Sequence, residues 1–175
     1  MTILVCPLSR VHECAAAWRP SSAISLLDPG HPTPDVSGIA PARHLRLTFH
    51  DAHLAEPGVS VPDRRDLIQL LTFIEDCSPV ERLMIHCRAG IGRSTATAFV
   101  VACHQFPAVP ELDIARKLRQ VAPLARPNET LVRLADHIMA RRSRMADAIA
   151  ETGRGLPWIE VSEGEPFEFD VSTAG

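Results

Sequence analysis

Short apolar segments alternate with longer helical patterns along this chain of 175 residues. Residues 23–27 and 83–85 are apolar and brief, as in buried strands. Residues 45–49 alternate apolar and polar side chains, which predicts a strand covered on one face. Residues 3–6 form a further short apolar run, for which we predict an edge strand. Strands that alternate with helices predict an α/β fold with a mostly parallel sheet.

Helical patterns lie between and after these strands. Ser60 and Asp63 have capping-box spacing, with Pro62 in the first turn of the helix they predict. Residues 94–103 are apolar nearly all round, which predicts a central helix. A short helix is expected at residues 12–18. Three further helices are predicted by apolar residues at helical spacing, which are Leu67, Leu70, Leu71 and Ile74 in the first, Ile114, Leu118 and Val121 in the second, and Leu131, Leu134, Ile138 and Met139 in the third.

These patterns predict one domain over residues 1–144, with a central, mostly parallel sheet of four to five strands and helices on both faces. Residues 145–175 contain Gly153, Gly155, Pro157 and scattered acidic residues. We therefore expect them to form a C-terminal appendage outside the domain.

Composition excludes several function classes. A net charge of -3 provides no electrostatic footprint for nucleic acid or an anionic membrane. The five cysteines are odd in number and include no C-x-x-C pair, so neither a zinc cage nor a disulfide framework is expected. No apolar run is long enough to cross a membrane, and the first ten residues lack a signal-peptide pattern. We expect a cytoplasmic protein that holds no metal.

The most informative segment, HCRAGIGRS at residues 86–94, connects a predicted strand to a predicted helix. Gly90 and Gly92 allow the backbone to curl so that successive N–H groups face one point. The helix that follows adds its free N–H groups and the positive end of its dipole. Such a loop suits an anion the size of phosphate, and the same field favours the thiolate form of Cys87. Arg93 adds a planar fork that matches two phosphate oxygens.

The spacing His-Cys-x5-Arg-Ser resembles the signature of the cysteine-dependent protein tyrosine phosphatase superfamily. Over residues 20–140 the chain is similar to the compact, dual-specificity-like branch of that superfamily in bacteria. The resemblance implies a phosphatase that acts through a phosphocysteine intermediate, requires no cofactor and takes a phosphorylated protein as substrate.

The resemblance also implies a role for each site residue. Cys87 is the nucleophile, and Arg93 holds the phosphoryl oxygens. Asp51, 36 residues before Cys87 and directly after a predicted strand, is the general acid, although the chain has no Trp-Pro-Asp. Ser94 assists the departing thiolate, and His86 braces the loop. The residues implied in substrate binding are Arg88, Ala89, Gly90, Ile91, Gly92 and Asn128.

Simpler interpretations remain beside these roles. Asp51 could form only a turn, Ser94 and Asn128 could only cap helices, and Arg88 could be a solvated cation. Asp63 and Asp66 are weaker acid candidates, because a helix N-terminus already explains them.

Two other functions use a similar loop. A phosphate-binding module without turnover would keep the loop but lack a positioned acid. An anion reductase or sulfurtransferase would need a second nearby thiol, which the sequence does not offer. The sequence favours phosphotyrosine-type protein substrates, because Ala89 and Ile91 stand where a highly charged inositol head group would favour lysine. It leaves other phosphoesters and the oligomeric state open.

Overall fold

A five-stranded sheet forms the centre of the molecule. The computed structural model describes residues 1–36, 38–77, 81–153, 155 and 162–170. The strands lie in the order β3-β2-β4-β1-β5, and every pair is parallel except β1 with β5. Their bounds are Thr2–Pro7 (β1), Ser22–Leu27 (β2), His44–Thr48 (β3), Arg82–Cys87 (β4) and Phe167–Asp170 (β5).

The prediction of an edge position for β1 is wrong. β1 pairs in parallel with β4 on one side and antiparallel with β5 on the other, so the edges are β3 and β5. The short apolar run of β1 is consistent with either position. Its inner place follows from pairing with β5, a segment from the other end of the chain.

Helices cover both faces of the sheet, which confirms the predicted fold class. α1 (Val11–Trp18) packs on one face, where Cys14 and Ala15 meet Leu4 and Met84 of the strands. The other helices cover the opposite face and are α2 (Arg64–Asp76), α3 (Arg93–Gln105), α4 (Glu111–Val121), α5 (Glu129–Ile138) and α6 (Arg144–Glu151). As predicted, α3 is central, since all its residues from 93 to 103 are buried. None of the described helices combines the length and apolar character that crossing a bilayer requires.

The predicted start of α2 is corrected by three residues. Asp63, not Ser60, is the N-cap, and its carboxylate accepts the N–H groups of Arg65 and Asp66. The Asp66 side chain accepts the Asp63 N–H in return, so the capping box lies between these two acids. Ser60 instead bonds through its N–H to Nδ1 of His50 (3.0 Å).

Two segments beyond residue 144, where the sequence predicts an appendage, pack against the rest of the structure. α6 packs against α4 and α5, and its Met145 is fully buried. Asp136 caps it, accepting the N–H groups of Ser143 and Met145 at 2.7 Å each. β5 extends the sheet and buries Phe169 completely. Residues 154, 156–161 and 171–175 of the appendage lie outside the described residues.

The contribution of β5 to the core is testable with neighbouring substitutions. Phe169→Ala removes a fully buried ring, so we expect the free energy of unfolding to fall by about 3–5 kcal/mol. Glu168→Ala changes an exposed side chain of the same strand and serves as the control, with an effect within about 0.5 kcal/mol. Urea unfolding measures both. An equally small loss for Phe169→Ala would contradict the inclusion of β5 in the domain.

Candidate active site

The residues singled out from the sequence lie at one edge of the sheet. Cys87 ends β4, and a tight loop then leads to Arg93, the first residue of α3. Asp28 follows β2, and Asp51 follows β3 after a short connection. Because these strands are parallel, their carboxyl ends meet at the same edge, where α/β proteins bind ligands. We refer to residues 87–93 as the Cys87 loop.

The Cys87 loop is held from outside by its carbonyl groups. In a trans peptide the C=O and the following N–H point in opposite directions, so a carbonyl bonded outward turns the next N–H inward. Four such peptides therefore direct the N–H groups of residues 89, 90, 92 and 93 to the inner side of the loop. The outer bonds run from Leu8 N to Arg88 O (3.1 Å), Gly164 N to Ala89 O (2.8 Å), Arg126 N to Ile91 O (2.9 Å) and Asn128 N to Gly92 O (3.3 Å).

The sulfur of Cys87 lies among polar donors. The Gly90 N–H donates to Sγ at 3.2 Å, and Oγ of Ser94 lies 3.1 Å from it. Both Cys87 and Ser94 are buried. With the sulfur ionised, the Ser94 hydroxyl is the donor, and both bonds then stabilise negative charge on sulfur.

Arg93 is anchored at one end and has a free donor. Its Nη1 donates to the carbonyl of Phe49 (2.6 Å) and to Oδ1 of Asp28 (3.1 Å), which fixes the guanidinium plane. The side chain is almost completely buried, yet its Nε has no partner among the described residues. A buried N–H of a charged group without a partner is costly in a folded protein. The arrangement fits an anion as the missing partner.

Asn128 connects Asp51 to the Cys87 loop. Its Nδ2 donates to Oδ1 of Asp51 at 2.7 Å, and its Oδ1 accepts the N–H of Leu131 at 3.0 Å, which caps α5. Its own N–H reaches the carbonyl of Gly92. Asn128 therefore has both the capping role expected from the sequence and a positioning role toward Asp51.

Asp51 lies directly against the loop at Gly92. A Cβ on Gly92 would collide with both oxygens of the Asp51 carboxylate. The second glycine of the loop thus leaves the space that the carboxylate occupies. The neighbouring His50 bonds to Ser60, as described above, and His53 accepts a bond from Thr130 through its carbonyl. Asp63 and Asp66 cap α2, which is the helix N-terminal role that made them weaker candidates for the general acid.

His86 is held by a chain of hydrogen bonds across the sheet. Its Nε2 lies 2.6 Å from Oγ of Ser25 in β2, and Ser25 lies 2.7 Å from Nε2 of His44 in β3. Burial, and secondarily His44, lowers the pKa of His86 to about 3. The ring is therefore neutral near pH 7 and supports the strand that carries Cys87 without adding charge.

The remaining loop residues take different positions. Arg88 is exposed, Ala89 is half-buried, and Gly90 and Ile91 are buried. Gly90 has a φ of +72°, and a Cβ there would meet the backbone of Pro7 at 2.9 Å, so only glycine fits.

The other four cysteines are free and buried. Burial raises the pKa of the Cys6, Cys14 and Cys103 thiols, which leaves these groups protonated near pH 7. Cys77 is also buried, where it caps the end of α2.

Sequence analysis missed three contributors to this site. Asp28 lies directly after the parallel strand β2, and this position was a usable signal. Ser25 is a polar residue inside an apolar strand, which was a weaker signal for its bond to His86. No local pattern indicated that Gly164 contacts the loop.

The role of Asn128 is testable by separating its two functions. Asn128→Asp keeps an oxygen to cap α5 but replaces the donor to Asp51 with a second carboxylate. We expect the free energy of unfolding at pH 7 to fall by about 1–3 kcal/mol, because a buried carboxylate then faces the Asp51 carboxylate where a hydrogen bond was. Asn128→Ser, which caps but does not repel, is the control and should lose less. Urea unfolding measures both variants, and a free energy of unfolding for Asn128→Asp equal to the wild-type value would contradict the contact between Asn128 and Asp51.

The neutral state of His86 predicts a pH dependence of stability. The folded chain keeps this ring unprotonated down to about pH 3, whereas an imidazole in the unfolded chain takes up its proton at an ordinary pKa of 6.5. The unfolded state binds more protons between these values, so stability falls as pH is lowered through this window.

We expect His86→Gln to reduce the slope of unfolding free energy against pH by about 1.4 kcal/mol per pH unit below pH 6. Denaturant unfolding at pH 6 to 4 measures the slope, and His12→Gln, an exposed position on α1, is the control. Equal slopes for wild type and His86→Gln would show that His86 is protonated in the folded protein.

No protein-family model matches the chain, and no curated protein matches its sequence. Several solved structures share its fold. The crystal structure of DUSP15 aligns with a TM-score of 0.61 and 18% identity, covering 85% of this chain and 90% of that chain. The human tyrosine phosphatase-like serine/threonine/tyrosine-interacting protein aligns with a TM-score of 0.58 and 16% identity, covering 80% and 92%.

PTPMT1, in a structure with PI(5)P, aligns with a TM-score of 0.54 and 14% identity, covering 80% of this chain and 94% of that chain. At these identities the similarity concerns the fold. This chain therefore has the α/β fold of the dual-specificity phosphatases among these solved structures.

Proposed function

We propose that this protein is a phosphomonoester hydrolase in which Cys87 forms a phosphocysteine intermediate. The observation that carries the proposal is the unpaired Nε of the buried Arg93, beside a loop whose Gly90 N–H donates to the Cys87 sulfur. A phosphoryl group is an anion whose oxygens satisfy both sets of donors. The likeness in fold to phosphatases supports the same chemistry.

In the first step the Cys87 thiolate attacks phosphorus in line with the ester oxygen. The S–P bond forms as the P–O bond to the leaving group breaks, and the Asp51 carboxyl transfers its proton to the departing oxygen. The inner N–H groups of the Cys87 loop and the Arg93 guanidinium stabilise the three equatorial oxygens, which carry the charge of the transition state.

In the second step water attacks the phosphocysteine. Asp51, now a carboxylate, takes a proton from the water as the new P–O bond forms and the S–P bond breaks. The sulfur leaves as a thiolate, which the Ser94 hydroxyl and the Gly90 N–H stabilise. Inorganic phosphate is released and the free enzyme is restored.

For the substrate we propose a phosphorylated protein, with phosphotyrosine as the preferred residue. Arg88 is exposed at the loop and suits acidic or phosphorylated chain segments beside the phosphoester. The five unpaired cysteines suit the reducing cytoplasm, which we propose as the location. Membership of the bacterial branch stays a prediction.

The catalytic roles are testable with three variants and two phosphoesters. Cys87→Ser should abolish phosphate release, because an alcohol replaces the thiolate. Asp51→Asn should lower kcat about 100- to 1000-fold for a phosphotyrosine peptide, whose leaving group needs a proton, and much less for p-nitrophenyl phosphate. Asp63→Asn changes the cap of α2 and is the matched control, with the leaving-group dependence of wild type.

Phosphate release over time measures all of these reactions. A wild-type rate for Asp51→Asn would assign the acid to another residue. A wild-type chain that binds a phosphotyrosine peptide tightly but releases no phosphate would support the alternative function, a silent phosphate-binding module. Faster release from a phosphoinositide than from phosphopeptides would replace the proposed substrate class.

A further inference from the structure

A segment from the C-terminal part of the chain lies along the outer side of the Cys87 loop. We call residues 162–166, which lead directly into β5, the C-terminal strap. The Gly164 N–H donates to the Ala89 carbonyl at 2.8 Å. A Cβ on Gly164 would lie 3.3 Å from a side-chain carbon of Ile91 and 3.4 Å from the Gly90 carbonyl oxygen. The strap therefore bonds to Ala89 and passes close to Gly90 and Ile91.

The hydrogen bond from Gly164 and the hydrogen bond to the Cys87 sulfur are made by the same peptide group. The Ala89 carbonyl and the Gly90 N–H belong to one rigid peptide plane and point in opposite directions. The Gly90 N–H is the one that donates to Sγ of Cys87 at 3.2 Å. The strap and the sulfur thus hold opposite ends of the same plane, and each bond favours the other.

This plane needs an outside anchor because of the residue that follows it. Gly90 has no Cβ and adopts a φ of +72°, so its own backbone preferences permit either orientation of the preceding peptide. A reversed plane would direct the Ala89 carbonyl, instead of an N–H, at the thiolate and at any bound anion. Among the described residues, the Gly164 N–H is the outer hydrogen-bond partner of the Ala89 carbonyl.

The strap is fixed at both of its ends. β5 pairs with β1 and buries Phe169, which anchors the following residues. Glu163 accepts a bond from the Ser9 hydroxyl, and Glu165 forms an ion pair with Arg10 at 3.3 Å. Ser9 and Arg10 come just after Leu8, the first residue beyond β1. The Leu8 N–H donates to the Arg88 carbonyl. These contacts place the Gly164 N–H where it meets the loop.

We propose that the C-terminal strap is a positioning element of the active site, in which the Gly164 N–H keeps the 89–90 peptide turned with its N–H on the Cys87 sulfur. This role rests on the proposed function of Cys87. The strap touches no reacting atom and acts only through the Cys87 loop. It predicts that loosening the strap lowers the reactive, ionised fraction of Cys87 while the sheet and core stay folded.

The direct readout is alkylation of Cys87 by iodoacetamide over pH 5 to 9, followed by mass spectrometry of the peptide that carries Cys87. The thiolate is the form that reacts. Gly164→Pro removes the N–H, and Gly164→Ala keeps it and is its control. Glu163→Gln with Glu165→Gln weakens both side-chain anchors at exposed positions, and Glu168→Gln, an exposed position in β5, is the matched control.

We expect Gly164→Pro to slow alkylation at pH 6 by roughly 3- to 10-fold, the effect of one lost hydrogen bond to the group. The pH of half-maximal alkylation should rise correspondingly, and the double Gln variant should show a smaller shift in the same direction. Gly164→Ala, which keeps the N–H but adds a methyl group close to Ile91, should slow alkylation much less than Gly164→Pro, and Glu168→Gln should follow the wild-type profile.

Where Gly164→Pro fails to fold, as judged by its melting temperature, the double Gln variant decides. A wild-type alkylation profile in a folded Gly164→Pro, or in the double variant when Gly164→Pro is unfolded, overturns the proposal. Alkylation requires no phosphoester, so a chain that hydrolyses none would contradict the proposed function and leave the strap result readable. With activity present, we expect kcat to fall together with the alkylation rate.

Discussion

The orientation of a few peptide planes in the Cys87 loop supports everything else at this site. Each N–H on the inner side of the loop is there because the carbonyl of the same peptide is bonded on the outer side. Reversing one plane would replace a donor with an acceptor at the same place, which changes the sign of its interaction with an anion. The loss of one outer hydrogen bond therefore also releases the N–H that the same peptide directs to the inner side of the loop.

Those outer partners come from widely separated parts of the chain. Leu8 follows β1, Arg126 and Asn128 lie between α4 and α5, and Gly164 precedes β5. The packing that brings them together is the general core of the domain, in which α3 is buried between the sheet and the helices. The packing of the core thus positions the backbone groups that hold the loop.

Charge at the site is confined to a small group of residues. Arg93 is held by Asp28 and a carbonyl, Asp51 is held by the neutral amide of Asn128, and His86 is neutral. The Asn128 amide and the His86 ring add no charge, so the positive field at Cys87 comes from the loop amides and from Arg93, whose charge Asp28 partly offsets. This division favours an anionic sulfur and an anionic ligand without a metal ion in the proposed mechanism.

Much of the architecture follows from patterns between residues that are close in the chain. Periodicity located β2, β3, β4 and the first five helices, and the order of strands and helices implied a mostly parallel sheet. The segment at residues 86–94 indicated a nucleophile and an anion loop, because strand, glycines and helix start are all local. Local patterns failed at Ser60, because its spacing to Asp63 resembles the capping box that Asp63 forms with Asp66. They also failed at β1, because its neighbour β5 comes from the far end of the chain.

The local sequence thus defined which chemical groups this protein has and which elements carry them, since helix periodicity, strand alternation and loop glycines act over a few residues. The folded arrangement defined how those groups face one another. Asp51 came to lie against Gly92, Ser25 came to lie beside His86, and Gly164 reached Ala89. These contacts join residues far apart in the chain, and their partners are fixed by the packing of the whole core, which no short pattern encodes.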